Sequence, residues 1–181
     1  MSTPLLLRLA TPADAVPLAV FAGQAFSDTY RGLDEPQDIA DYVAEHFTPD
    51  VMASVIGDPA CTTLLAWHDG QLAGYAVVKA TPPPGCVNGP APLKLWRLYL
   101  GSGFIGQGLG ARLMQAVHAE ARARGAQTLW LGVYDRNVRA VQFYERAGFA
   151  QVGTDRFLFG GQYYTDPIYA AAVRPALEAR P

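Results

Sequence analysis

The stretch Ile105-Gly106-Gln107-Gly108-Leu109-Gly110-Ala111, called the glycine turn below, decides the fold of this chain. It follows an apolar segment at 93–100 that predicts a strand, and it opens an amphipathic pattern that predicts a helix to about Arg124. Glycines at a strand-to-helix turn let backbone N–H groups gather around one point, and the helix N-terminus adds partial positive charge there. The glycine turn is therefore a candidate phosphate or pyrophosphate site, which makes the chain a candidate nucleotide-cofactor protein.

Length and composition indicate one globular domain without a nucleic-acid footprint. The 181 residues are enough for one domain with a sizeable core. Half of them are apolar and 17% are charged, a balance typical of globular rather than disordered proteins. The net charge of −2 argues against a nucleic-acid partner, which would favour a strongly basic surface.

The charges are unevenly distributed along the chain. Residues 28–50 carry seven acidic side chains against one arginine, whereas residues 104–150 carry six arginines against three acidic side chains. A basic half suits an anionic cofactor, and an acidic half suits a cationic acceptor. Solvated helix faces that happen to differ explain the same asymmetry equally well.

Signals for disulfides, metals and targeting are weak. Cys61 and Cys86 do not make a disulfide framework, and no Cys-x-x-Cys or Cys/His cluster in the sequence indicates zinc. The apolar residues 5–9 are too few for a signal peptide and lack a charged leader, and no apolar run approaches membrane-spanning length. We therefore expect a soluble cytoplasmic protein with no metal and no membrane partner.

Helix caps and apolar periodicity predict three helices and a hairpin before residue 81. Thr11-Pro12-Ala13-Asp14 has the residue types of a helix start, and Thr48-Pro49 repeats that signal. Asp69-Gly70 is typical of a tight hairpin turn. The predicted elements are a strand at 4–10, helices from Thr11 to about Phe26, from Pro36 to Phe47 and from Pro49 to about Gly57, and hairpin strands at 62–67 and 72–80.

The second half begins with a Pro- and Gly-rich loop at 81–92. After it we predict a strand at 93–100, the helix that follows the glycine turn, a strand from Thr128 to Tyr134, a helix from Val138 to Ala147, and strands at 149–159 and 162–171. Only residues 93–134 form a strand–helix–strand unit of the kind that gives a parallel pair. The pattern predicts a mixed sheet with helices on its faces.

A dinucleotide-binding protein is the competing interpretation of the glycine turn. Gly106-x-Gly108-x-x-Ala111 fits that fingerprint, and Asp135 follows the next predicted strand, where an acid could hold a ribose. Three features argue against it. Residues 101–105 separate the strand from the first glycine, Asp135 lies 29 residues after Gly106, and the repeated strand–helix units of a doubly wound sheet are missing.

Three further blocks accompany the glycine turn. These are Leu98-Tyr99-Leu100, the strand Leu129-Trp130-Leu131-Gly132-Val133, and Asn137-x-x-Ala140-x-x-Phe143-Tyr144-x-x-x-Gly148-Phe149. Together they resemble the GNAT superfamily of N-acetyltransferases. The resemblance is specific over about residues 93–155 and rests mostly on the order of elements from the N-terminus to residue 80.

The resemblance implies a fold and a cofactor. The fold would be of the α/β (α+β) class, with a mixed, mostly antiparallel sheet of about seven strands that splays at a central parallel pair and has helices on both faces. Residues 1–181 would form a single N-acetyltransferase domain. The parallel strands would be 93–100 and 128–134, with acetyl-CoA in the opening between them.

The resemblance also assigns residues to the cofactor. The pantetheine arm would pair with the backbone of the first splayed strand, and the pyrophosphate would lie on the amides of the glycine turn. Ile105 stands where the family usually has Gln or Arg, so one side-chain contact is lost. The candidate cofactor residues are Leu98, Tyr99, Leu100, Ile105, Gly106, Gln107, Gly108, Leu109, Gly110, Ala111, Asn137, Arg139, Ala140 and Phe143.

Tyr144 stands where the family has its general acid. A phenol held within hydrogen-bond reach can protonate the departing thiolate. A core tyrosine that packs beside Phe143 and Phe149 is the alternative interpretation. Asn137 could likewise be only the N-cap of its helix, or also touch the cofactor or a bound water.

The general base is harder to assign from the sequence. Some family members carry an acid on the first splayed strand, whereas this chain has Lys94-Leu95-Trp96-Arg97-Leu98-Tyr99 there. A base must then come from elsewhere, act through water, or be unnecessary for a poorly basic acceptor. The candidates by position are Asp28, Tyr30, Glu35, Tyr163, Tyr164 and Asp166.

The acceptor is predicted to be a small primary amine. Residues 26–32 and 130–134 look similar to the bacterial polyamine (spermidine/spermine) acetyltransferase branch, and the acids of 28–50 suit a polycation. Aromatic side chains such as Tyr42 could flank an alkylammonium, or simply pack in the core. The candidate substrate residues are Asp28, Tyr30, Glu35, Trp96 and Tyr134.

Other functions stay open at this stage. The acceptor could be a protein or peptide, an antibiotic or an amino acid. The chain could also bind acetyl-CoA without efficient catalysis, since the strand acid is missing. Members of the family are often homodimers, and the apolar segment from Ile168 to Val173 could supply an interface or complete the core.

Overall fold

A computed structural model describes residues 5–176; the outermost residues of the expected strand 4–10 and of the expected domain 1–181 lie outside the described residues. The first elements are β1 (Leu6–Leu9), a 3-10 turn (Pro12–Asp14), α1 (Ala15–Tyr30), α2 (Pro36–His46), α3 (Pro49–Gly57), β2 (Cys61–His68) and β3 (Gln71–Lys79). The remaining elements are β4 (Pro92–Leu100), a 3-10 turn (Ser102–Phe104), α4 (Leu109–Ala123), β5 (Thr128–Gly132), α5 (Val138–Arg146), β6 (Ala150–Phe159) and β7 (Gln162–Ala172).

The seven strands form one sheet in the order β1-β2-β3-β4-β5-β7-β6. All neighbouring strands are antiparallel except β4 and β5, which are parallel. The helix α4 connects these two strands, as expected for a parallel pair. The predicted mixed, mostly antiparallel sheet with one parallel pair is therefore confirmed.

Helices cover both faces of the sheet. On one face, Leu113 and Val117 of α4 pack against Leu129 of β5, and all three are fully buried. On the other face, Leu18 of α1 and Met52 of α3 pack into a second core with Leu65, Tyr75 and Val77 of β2 and β3. Full burial of such a side chain stabilises the fold by about 1.5–3 kcal/mol, so both layers are held by apolar packing.

The parallel pair is short. Pro92 to Lys94 of β4 pair with Thr128 to Trp130 of β5, and no pairing between the two strands continues beyond Lys94 in the described residues. The strands therefore separate towards their carboxyl ends. This separation opens the sheet in its middle, next to the glycine turn.

A β-bulge in β4 falls at Trp96. Val78 of β3 pairs with Leu95, but its neighbour Val77 pairs with Arg97, so Trp96 is the extra residue. A bulge reverses the faces to which the later side chains point. Leu93 and Leu95 accordingly belong to the core under α4, and Leu98 and Leu100 pack against that same core after the bulge.

Two element ends differ from the sequence expectation. The helix α1 continues past Phe26 to Tyr30, because the Phe26 ring packs against Tyr30 at 4.5 Å and Tyr42 at 4.7 Å. The strand β5 ends at Gly132 rather than Tyr134. No helix between residues 5 and 176 is both long and apolar enough to cross a membrane.

Candidate active site

A cavity of about 670 Å³ occupies the opening between β4 and β5. The glycine turn and α5 form one end of it, and the other end reaches α1, α2, β6 and β7. The first end is called the cofactor half below, and the second end is called the acceptor half. Both halves are therefore parts of one continuous space.

Two glycines of the turn adopt backbone angles that favour glycine. Gly106 and Gly108 have φ values of +81° and +80°, and a Cβ on either would meet no heavy atom within 4 Å. Both glycines line the cavity, so their backbone faces open space. Gly110 serves packing instead, because a Cβ there would lie 3.1 Å from the Phe143 ring.

The N-terminus of α4 points its free amides at the same place. Gly108 is the N-cap, and it offers no side-chain hydrogen bond to the first turn, which also contains no acidic residue. The first four N–H groups of a helix lack partners within it, and the helix dipole makes that end positive. The turn thus fits a pyrophosphate by both its space and its donors. Ile105 lines the cavity with an apolar side chain.

The β4 edge that faces the opening is suited to an extended amide chain. Leu98, Tyr99 and Leu100 line the cavity in the part of β4 that no longer pairs with β5. An extended edge presents N–H and C=O groups that can bond a strand-like ligand. The amides of a pantetheine arm have that chemistry.

The helix α5 lines the opposite wall. Asn137 is its N-cap and accepts a hydrogen bond from the Ala140 amide at 3.2 Å, so the capping interpretation is correct. Asn137, Arg139, Ala140 and Phe143 all line the cavity. Their contact with a cofactor stays a prediction.

Tyr144 lines the cavity from the core side. Its ring is 8% exposed and packs edge-on against Phe143 and Phe149, and its hydroxyl has no hydrogen-bond partner among residues 5–176. Burial raises the pKa of the Tyr144 phenol, and the neighbouring Tyr99 adds to that rise. The phenol is therefore protonated at neutral pH, and both the packing and the acid interpretation fit its position.

The acceptor half brings together three of the predicted substrate residues. Tyr30, Trp96 and Tyr134 line it. The Tyr134 hydroxyl donates a hydrogen bond to Asp34 at 3.0 Å, and its ring lies 6.0 Å from the rings of Tyr30 and Tyr164. Aromatic rings and a carboxylate at such spacing suit an ammonium group.

Asp166 of β7 is a further carboxyl in the acceptor half. Burial raises its pKa to about 6, and the negative charges of Asp135 and Asp34 contribute to the rise. A carboxyl with this pKa is ionised at neutral pH and is basic enough to take a proton from an ammonium group in contact with it.

Arg97 is a charged residue of the acceptor half that the sequence interpretation did not single out. It is 7% exposed, and its guanidinium lies over the rings of Phe47 at 4.7 Å and Trp96 at 4.3 Å. An arginine in the middle of a largely apolar strand was the visible sequence signal. Asp34, which also lines this half, carried no such signal.

Five of the predicted site residues do not line the cavity, and one of them is the candidate base Tyr163, whose exposed ring lies under the Arg156 guanidinium. Asp28 bonds to Gln24 and Arg31 on the surface of α1, and Glu35 is an exposed residue before α2. Leu109 is buried in the core because the first turn of α4 points it inward. Gln107 is exposed, and its side chain donates to the Gly103 carbonyl at 2.6 Å.

Comparison with known proteins gives consistent results. The model of the acetyltransferase (GNAT) family matches residues 24–149. An uncharacterized N-acetyltransferase of Mycobacterium tuberculosis is 34% identical over 156 residues, which are 86% of this chain and 95% of that protein. A spermine/spermidine N(1)-acetyltransferase of Bacillus subtilis is 25% identical over 84 residues, 46% of this chain and 55% of that protein.

A solved structure shares the fold. The PaiA N-acetyltransferase from Thermoplasma acidophilum, crystallised in complex with coenzyme A, superposes with a TM-score of 0.79. It is 21% identical and covers 94% of this chain and 99% of its own. The two proteins therefore share their fold, and the crystallised one holds coenzyme A.

Proposed function

This chain belongs to the GNAT family of acetyltransferases and is an acetyl-CoA-dependent N-acetyltransferase; from that premise we propose that its acceptor is a primary amine of a small molecule bound in the acceptor half. The continuity of the cavity carries the proposal. One space of about 670 Å³ joins the glycine turn to a pocket of aromatic rings and carboxyl groups. An amine in that pocket lies beside the place where an acetyl group would enter.

The glycine turn and β4 would hold the donor. Gly106, Gly108 and the first amides of α4 would bind the pyrophosphate, and the β4 backbone at 98–100 would bind the pantetheine arm. Acetyl-CoA supplies an acetyl thioester, whose carbonyl carbon accepts the amine nitrogen. Ile105 contributes no polar contact, which would leave pyrophosphate binding to the backbone.

Tyr144 is proposed as the general acid. Its phenol is protonated at neutral pH, and the residue lines the cavity between the splayed strands. As the amine nitrogen bonds to the acetyl carbon and the carbon–sulfur bond breaks, the Tyr144 hydroxyl would give its proton to the thiolate. The low-dielectric surroundings that raise the phenol pKa also raise that of a thiol, which keeps the two groups matched.

Asp166 is proposed as the base. In its ionised form it would accept the proton that an alkylammonium loses before attack, directly or through one water. Its raised pKa and its place in the acceptor half support this role. Trp96 occupies the strand region where some family members carry an acid, so we propose that a carboxyl from β7 takes that role here.

A polyamine is one candidate for the acceptor, taken from the sequence. Asp34, Asp155 and Asp166 line the acceptor half, which suits several ammonium groups, and the distant spermine/spermidine enzyme of Bacillus subtilis supports it weakly. Asp28 and Glu35 lie outside the cavity, so these two acidic side chains provide no charge complementarity to a polyamine inside it. We also propose that the chain forms one domain, because its described strands make a single sheet. The homodimer stays a prediction.

Thiol release from acetyl-CoA across a panel of amines tests the function. Spermidine and spermine, ω-amino acids, lysine peptides and aminoglycosides would be compared with a no-acceptor control. Turnover with a small amine is expected. Turnover with lysine peptides alone would contradict the small-molecule acceptor and indicate a protein acceptor. Binding of acetyl-CoA without turnover on any amine would indicate a binding module.

A further inference from the structure

Arg97 is a buried cation without an anionic partner. Its side chain is more than nine-tenths buried, and its Nη1 atom makes no hydrogen bond within residues 5–176. No carboxylate lies within ion-pair distance of it in that part of the chain, and its contacts are the faces of Phe47 and Trp96. A buried guanidinium is costly unless it is paired, so a missing partner indicates a group that arrives from outside.

Arg97 lines the cavity in its acceptor half. The bulge at Trp96 places Leu98 and Leu100 on the α4 side of the sheet, whereas Arg97 stacks on Phe47 beyond the end of α2, on the other side. Arg97 thus contributes to the wall of the space where the acceptor would bind, and its guanidinium lies there over the rings of Phe47 and Trp96.

The phosphates of the cofactor are unsuitable partners for Arg97. They would lie at the glycine turn, which begins beyond the end of β4 at Leu100. Three residues of strand span about 10 Å, so Arg97 is about that far from the strand end. It also faces the opposite side of the sheet from the α4 N-terminus. The missing anion must therefore come from the acceptor.

We propose that the acceptor carries a carboxylate in addition to its primary amine, and that Arg97 binds this carboxylate. The planar guanidinium suits bidentate binding of a carboxylate, and the rings of Phe47 and Trp96 hold it flat. The proposal rests on the function proposed above and narrows its acceptor to an amino-carboxylate.

The charges of the acceptor half are separated in a way that fits such a molecule. Asp166 lies on β7 and Asp34 is bonded to Tyr134 beyond the end of β5, whereas Arg97 lies on β4 against the rings of Phe47 and Trp96. The ammonium would bind near the carboxylates and the carboxylate near the guanidinium. A polyamine has no group for Arg97 and would be repelled by it.

Matched acceptors test the proposal. 5-Aminopentanoate and pentylamine differ in the carboxylate, and glycine against glycinamide repeats the comparison at shorter length. We expect the wild-type protein to acetylate at least one carboxylate member with a kcat/KM at least tenfold above its neutral match. In Arg97→Gln the kcat/KM values of the two matched acceptors are expected to agree within about twofold. Arg97→Lys should keep part of the preference for the carboxylate acceptor.

Two controls separate recognition from damage. Lys94→Gln removes another cation that lines the same cavity and should leave the ratio unchanged. Thermal unfolding of Arg97→Gln should occur at or above the wild-type temperature, because the variant loses an unpaired buried charge. Arg97→Met gives a second neutral variant if the Gln variant does not fold.

The outcomes distinguish this inference from the proposed function. Small amines that are acetylated without a carboxylate preference, or a preference that survives Arg97→Gln, would overturn the inference and leave the function intact. Calorimetry of 5-aminopentanoate with the coenzyme A-loaded protein needs no turnover. Binding that depends on Arg97, without acetylation of any amine, would support the carboxylate site and refute the function.

Discussion

The hydroxyl of Tyr134 donates a hydrogen bond to Asp34 at 3.0 Å, and this contact joins the end of β5 to the segment between α1 and α2. Arg136 donates in turn to the Tyr134 hydroxyl at 3.2 Å. The bond connects positions 100 residues apart in sequence and lies on the wall of the acceptor half. It therefore fixes the orientation of a carboxylate that an incoming ammonium would meet.

Loss of the hydrogen bond between Tyr134 and Asp34 should weaken binding of the acceptor amine and leave binding of acetyl-CoA unchanged. Tyr134→Phe is expected to raise the acceptor KM about three- to tenfold, because a hydrogen bond to a charged group contributes about 1.5–3 kcal/mol and solvent replaces part of it. The KM for acetyl-CoA should stay the same. Tyr169→Phe is the matched control, since its hydroxyl bonds to Glu145 away from the cavity. An equal rise in both KM values would contradict the assignment.

Tyr144→Phe should reduce turnover at least tenfold with little loss of acetyl-CoA binding. The substitution removes the proton donor and keeps the ring that packs against Phe143 and Phe149. Steady-state kcat and calorimetry with acetyl-CoA would measure the two effects. Tyr75→Phe is the control, because that buried hydroxyl also lacks a hydrogen-bond partner among residues 5–176 but lies outside the cavity lining. Unchanged turnover in Tyr144→Phe would leave only the packing role.

Glycine substitutions at the two ends of α4 should separate strain from cofactor binding. Gly108 and Gly125 have φ values of +80° and +73°, and a Cβ on either meets nothing within 4 Å. Each change to Ala should therefore destabilise the fold by about 1–2 kcal/mol. Only Gly108→Ala should weaken acetyl-CoA binding, about tenfold, since its Cβ enters the cavity. Equal affinities in the two variants would refute the pyrophosphate site.

Asp166 should give the acidic limb of the pH–rate profile. Its pKa is raised to about 6, and the base must be ionised, so kcat/KM should fall tenfold per pH unit below pH 6. Asp166→Asn should lower kcat/KM at least tenfold at pH 8 and remove that inflection. Asp155→Asn, an exposed carboxyl at the cavity edge, should keep it. An inflection that persists without Asp166 would assign it to another group.

Local signals made the fold predictable. The Asp69-Gly70 hairpin, the Thr48 cap, whose hydroxyl accepts from Val51, and the glycine turn each act within a few residues. Their elements accordingly lie within a residue or two of the expected positions. The splay followed from the family resemblance, since nothing in the 93–100 segment shows where pairing with 128–134 stops.

The acceptor half was less predictable, because its geometry depends on contacts distant in sequence. The bulge at Trp96 arises from pairing with β3, and no local pattern revealed it. Asp34 joins the site through Tyr134, and Asp166 through the sheet order that places β7 beside β5. Asp28 and Glu35 carry the same charge as Asp34 but point elsewhere, so composition alone could not rank them.

His118, which does not line the cavity, makes the stability of the fold depend on pH. It lies on α4 with 2% exposure, and its Nδ1 accepts a hydrogen bond from the backbone N–H of Arg174 at 3.1 Å. The proton of the neutral ring is therefore on Nε2. Burial lowers the pKa of His118 to about 4, and the positive charges of Arg174 and Arg122 lower it further.

In an Asp166→Asn background, the free energy of unfolding should fall as the pH falls from 7 to 5. That background is needed because the pKa of Asp166 is raised to about 6 in the folded protein, so its protonation in the same window favours folding and opposes the effect of His118. In this window the unfolded chain protonates His118 near its ordinary pKa of about 6.5, whereas the folded protein does not, so protons favour unfolding by about 2 kcal/mol. Urea unfolding at both pH values would measure the difference.

Two histidine variants test whether His118 causes this pH dependence. His118→Gln should remove most of the pH dependence even if the variant is less stable throughout, whereas His68→Gln, at the end of β2, should retain it. Asp14 does not interfere, because Arg8 and Thr11 lower its carboxyl pKa and its stabilisation is lost only as the pH falls below about 4. An undiminished pH dependence in His118→Gln would show that another group binds the protons.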